Sequence, residues 1–119
     1  MNAQWIERGG KHRFIYEGNN AFILFVNDKG VTQVRISCGK TSLIFDFEAA
    51  NVYSTGLSLD GPAYGNVGIV YAGIFNDSDK DWLLARTLEY CVSGGHFDVS
   101  VLLSRNISLI AKPSKGWGI

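Results

Sequence analysis

A chain of 119 residues with 46% apolar and 13% aromatic content can build one packed core and is too apolar for disorder. Lys plus Arg number 11 and Asp plus Glu number 11, so a formal charge of zero leaves no overall field to gather nucleic acid or an anionic membrane. No apolar run approaches the roughly 20 residues of a membrane span, and the first residues carry no apolar leader core.

In chain order, Trp5 and Ile6 precede Gly9-Gly10, which fits either a short edge strand or an arm. His12 to Glu17 (HRFIYE) reads as a strand closed by the turn cluster Gly18-Asn19-Asn20. Ala21 to Asn27 is continuously apolar, as in a strand covered on both faces. Asn27-Asp28-Lys29-Gly30 suits a hairpin connection. Val31 to Cys38 then alternates, with Val34, Ile36 and Cys38 on one face and Gln33, Arg35 and Ser37 on the other. After Gly39-Lys40, Leu43, Phe45 and Phe47 share a face of the next strand. These three strands form a meander.

A further strand is expected around Val52 to Leu59, followed by the loop Asp60 to Asn66 with its Gly and Pro. Val67 to Phe75 is apolar throughout, and Gly68 and Gly73 inside it suggest a bulge or the close approach of another layer.

Ser78 to Gly95 is the one stretch that reads as a helix, near residues 79–92. Ser78 is the expected N-cap, Asp79 and Asp81 favour the positive end of the dipole, and Gly94-Gly95 ends it. Leu84, Leu88 and Cys91 are the expected buried stripe, with Ala85 and Val92 beside them and Trp82 at the entrance. His96 to Leu103 alternates Phe97, Val99, Val101 and Leu103 against His96, Asp98 and Ser100, and so reads as a strand. Ser104-Arg105-Asn106 turns the chain as the loop of a second hairpin, whose other strand carries Ile107, Leu109 and Ala111 until Pro113 stops pairing. The expected fold over 1–119 is a single compact domain, mainly β (α+β). It is an antiparallel β-sandwich or partly open barrel of about seven or eight strands with one helix.

Chemistry-bearing motifs are weak. Gly39-Lys40-Thr41 shares the end of a phosphate-binding loop, but Val34 stands where its first glycine belongs and a strand follows in place of a helix. No CxxC exists, and His12 and His96 have no ligand spacing, so no metal or cofactor is expected. Cys91 ends a helix, where the dipole opposes a thiolate, and Cys38 lies on an apolar strand face; both are expected to be buried and inert. No catalytic residue is assigned.

What remains is surface. Tyr53, Tyr64 and Asn66 beside the glycine-rich loop, with Trp5 and Trp117 near the chain ends, are the candidate contact residues. The expected function is a non-enzymatic protein-binding module. It would be a small inhibitor or accessory protein of phage or mobile-element type that blocks a host complex, with another protein as partner and a homodimer as an option. With Met1 native, the expected setting is cytoplasmic. The alternatives are an exported envelope domain, periplasmic or secreted, with a Cys38–Cys91 disulfide, and a small hydrolase-like enzyme using His96.

Overall fold

The computed structural model describes residues 3–8, 11–16, 20–28, 30–55, 69–95 and 97–113. The strands are β1 (Ala3–Arg8), β2 (Lys11–Tyr16), β3 (Asn20–Asn27), β4 (Gly30–Cys38), β5 (Thr41–Asp46), β6 (Asn51–Thr55), β7 (Ile69–Phe75) and β8 (Ile110–Pro113). The helices are α1 (Asp77–Ser93) and the single turn α2 (Ser100–Leu103). The protein is mainly β. Six strands form one antiparallel sheet in the order β6-β5-β4-β3-β7-β8, and β1 and β2 form a separate two-stranded sheet. Among the described residues this is the architecture that stands where a sandwich or barrel was expected.

The meander β3-β4-β5 forms as its alternation requires. Phe22 pairs with Ile36 and Leu24 with Val34, and Ile36 then pairs with Leu43 and Val34 with Phe45. These six side chains point to one face, where they pack with Leu83, Cys91, Phe97, Leu102 and Ile107. On the other face Ala21, Ile23 and Phe25 of β3 meet Val70 and Ala72 of β7 beneath Phe14 of β2. Tyr16 of β2 stacks on Phe14 and donates its hydroxyl to Ser37 Oγ at 3.3 Å. The sheet therefore has a layer on each side. That is why β3 is buried from Asn20 to Phe25, as its continuously apolar sequence foretells.

The helix bounds contain the expected 79–92, with two corrections. Its N-cap is Asn76, not Ser78. Asp77 fixes the entry by accepting from Asn20 Nδ2 of β3 at 2.7 Å, which pulls the helix start two residues earlier. Gly94 at φ 73° ends it, as expected. The buried stripe is Leu83, Thr87 and Cys91, not Leu84, Leu88 and Cys91. Thr87 tolerates full burial because its hydroxyl donates to the Leu83 carbonyl at 2.7 Å. The shift in phase leaves Leu88 44% and Val92 62% exposed.

His96 to Leu103 is not a strand in its described residues. The Asp98 carboxylate accepts the Ser100 backbone N–H at 2.9 Å, and this turn opens α2. The same N–H, with the Ser100 hydroxyl, holds Asp98 below the usual carboxylate range. Leu102 is fully buried and Leu103 is 56% exposed, the reverse of strand alternation. Asn106, at φ 58°, closes the turn, and Ile107 N–H returns to the Leu102 carbonyl at 3.1 Å. The chain then crosses β7 and enters β8, which pairs with β7, not with 96–103. At the crossing Gly73 faces the Ser108 carbonyl and the ring of Phe22. This is the close approach that a glycine inside a strand suggested.

Candidate functional site

The site is built from one end of the large sheet. At the end of β5, Asp46 Oδ1 accepts the backbone N–H groups of Glu48 and Ala49, each at 3.1 Å. Ala50, at φ 48°, completes the turn and delivers β6 with Asn51 opposite Asp46 and Tyr53 opposite Ile44. The last turn of α1 is tacked onto this corner. The Cys91 thiol approaches the carbonyls of Asp46 at 3.5 Å and Asn51 at 3.4 Å. Burial pushes the Cys91 thiol pKa up, and the Asp46 carboxylate adds to the shift. Cys91 thus tethers the helix to the sheet.

Among the described residues, β6 pairs with β5 and has no strand on its outer side. Its sequence is Asn-Val-Tyr-Ser-Thr, without a charge or a proline. Val52 points to the α1 side, where it packs on the core, so Tyr53 points to the opposite face and is 44% exposed. α1 runs over β5 and β6. One of its flanks is tied to the segment after the helix. There Tyr90 meets the edge of the Phe97 ring, while Arg105 pairs with Asp79 at 3.0 Å and lies over Trp82 at 4.5 Å. With Thr87 facing the sheet, a turn of about 100° per residue puts Leu84 and Leu88 on the other flank, Leu88 roughly 100° round, and Val92 on the solvent side of the helix at roughly 140°. Since α1 runs over β5 and β6, the flank with the half-exposed Leu88 is the one turned away from the segment after the helix.

Of the expected contact residues, Tyr53 lies at this site. Trp5 lies on β1, opposite Phe14. That hairpin packs over β3 and β7, and β3 is three strands from β6, about 14 Å at ordinary strand spacing. Tyr64, Asn66, Trp117 and His96 lie outside the described residues. Leu88, expected in the buried stripe, and Val92, expected beside it, are exposed. The spacing that is buried, Leu83-Thr87-Cys91, contains a threonine, which a pattern of apolar residues alone does not pick out.

The Cys38–Cys91 disulfide does not form. Cys38 lies near Lys80 and Asp81 at the start of α1, whereas Cys91 is in its last turn, roughly 15 Å further along the axis. A bridge needs Cα atoms within about 7 Å. Burial raises the Cys38 thiol pKa, Lys80 opposes this and Asp81 adds to it. Thiol titration should find two free thiols per chain in denaturant, with Cys91 silent in the folded protein. A count of zero in denaturant would overturn this assignment.

A shallow cleft of about 190 Å³ lies between Asn27, Gly30 to Thr32, Phe47-Glu48 and Gly94-Gly95, and among the described residues on its wall Glu48 is the one ionisable side chain. Among the described residues no three His, Cys, Asp or Glu side chains are placed to hold a metal ion. Nor is any helix there long and apolar enough to cross a membrane. Comparison with protein-family models, with curated proteins and with solved structures found no match.

Proposed function

We propose that the protein is a non-enzymatic binding module that contacts a partner protein through the β6 edge and the adjoining flank of α1. The observation that carries this reading is the contrast between the two edges of the large sheet. β8 contains Lys112 and Pro113, residues that discourage further strand pairing. β6 contains neither. An unprotected edge offers a row of backbone donors and acceptors that an extended segment of another protein can complete, and neighbouring side chains supply specificity. Tyr53 on one face and Leu88 of α1 on the other are suited to that second task.

On this reading the protein works by occupying a partner's segment, as a small inhibitor or accessory protein of phage or mobile-element type would. Free thiols suit a reducing cytoplasm. The β1–β2 pair over the opposite face supports reading the module as a lopsided sandwich. Nucleic acid is not the intended ligand, since the net charge is zero.

The test is capture from a host lysate with wild-type bait, Tyr53→Lys and the distant control Leu103→Lys. A protein held by wild type and the control should be bound at least about tenfold more weakly by Tyr53→Lys, roughly 1.4 kcal/mol. Equal retention by all three baits would remove the β6 edge from the interface.

A further inference from the structure

We infer that the β6 edge also pairs with the β6 edge of a second copy of the chain, antiparallel and about a two-fold axis at Tyr53. This rests on the reading of β6 as an open contact edge, and it names one occupant. The strand has five residues with Tyr53 at its centre. Antiparallel self-pairing sets Tyr53 against Tyr53 of the second copy, Val52 against Ser54, and Asn51 against Thr55.

Three observations favour this occupant. First, an isologous contact sets a residue on the axis against its own copy and brings residues near the axis close to theirs, so a charge there meets its own like. β6 carries no charge at all, and the chain has no net charge to drive copies apart. Second, a five-residue strand alone falls short of the roughly 800 Å² per partner of a stable interface. The same axis brings the two α1 flanks together on one side of the joined sheet. There Leu88, 44% exposed and roughly 100° round the helix from the sheet-facing Thr87, adds apolar area to the strand contact. Third, Tyr53 would stack on its counterpart on the opposite side of the sheet, an aromatic cross-strand pair of the kind that stabilises antiparallel contacts. The product is a continuous sheet running through both copies. Self-pairing and capture of a foreign strand then exclude each other.

The experiment uses the full chain in sedimentation velocity from micromolar to near-millimolar concentration. The variants are Tyr53→Lys and Tyr53→Glu, each first shown to keep the wild-type thermal midpoint. Wild type should approach twice 13.1 kDa as concentration rises. Each variant alone should stay at one chain mass, because two like charges then face each other across the axis. An equal mixture of the two should recover the dimer, since lysine then faces glutamate. A monomeric wild type, variants that still dimerise, or a mixture that stays monomeric would each overturn the proposal. A monomeric wild type whose foreign partner is still lost on Tyr53→Lys would leave the binding reading intact and remove only the self-pairing. A dimer that the mixture restores, with no foreign partner captured, would do the reverse.

Discussion

Gly73→Ala should lower stability by on the order of 3 kcal/mol, near the top of the range for an overfilled site. An alanine Cβ at position 73 would lie far inside contact distance of the Ser108 carbonyl and 2.8 Å from Phe22 Cζ. Neither neighbour can yield freely. The Phe22 ring is fully buried and packs on Phe75 with centroids 6.3 Å apart. Ser108 is held between Ile107, which is buried, and Leu109, which packs on the same core. Replacing a strand glycine by alanine ordinarily gains about 0.5–1 kcal/mol in backbone entropy, so the clash decides the sign. The thermal midpoint should fall by roughly 10 to 15 °C, and Gly73→Val should fall further or fail to fold. A midpoint within about 2 °C of wild type would mean that the crossing at Ser108 does not lie against β7.

The second expectation is a contrast between adjacent leucines. Leu102→Ala should cost about 3 kcal/mol, within the usual range for a buried leucine, and Leu103→Ala under about 0.5 kcal/mol. Leu102 is fully buried in the core of α1 and the sheet, and Leu103 is 56% exposed. A strand over 96–103 predicts the opposite order, because Leu103 would then share the inward face with Phe97, Val99 and Val101. Equilibrium unfolding in urea separates the two outcomes. A larger loss at Leu103 than at Leu102 would restore the strand and remove α2.

Some of this architecture was legible in the residues. The meander could be read because Gln33 to Cys38 alternates, Leu43 and Phe45 keep one face of β5, and both connections contain Gly at positive φ, Gly30 at 114° and Gly39 at 65°. The helix was legible from Asp79, the leucines and Gly94. Its phase was not, because apolar residues on α1 spread over more than one stripe and the structure buries Thr87 among them. A satisfied hydroxyl is invisible to a rule that counts only apolar positions. The region after the helix failed for a related reason. Period-two alternation in Phe97-Asp98-Val99-Ser100-Val101 also permits a helical turn, and the Asp98 carboxylate selects that turn.

The candidate site was less legible still. Tyr53 could be singled out from its type and neighbourhood. The open side of β6 depends on strand order, which adjacent turns do not specify. The exposure of Leu88 and Val92 follows from the helix phase, and so inherited its error.

The position of β3 has one more consequence. Its odd- and even-numbered side chains belong to different packed layers, Ile23 to the one under the hairpin and Leu24 to the one under α1. Removing either layer leaves an apolar face of the same strand in water, which weakens the pairing that the remaining layer stands on. Hairpin and helix, which lie on opposite faces, are therefore thermodynamically coupled through a strand they share. Melting should be all-or-none, without a half-stripped intermediate.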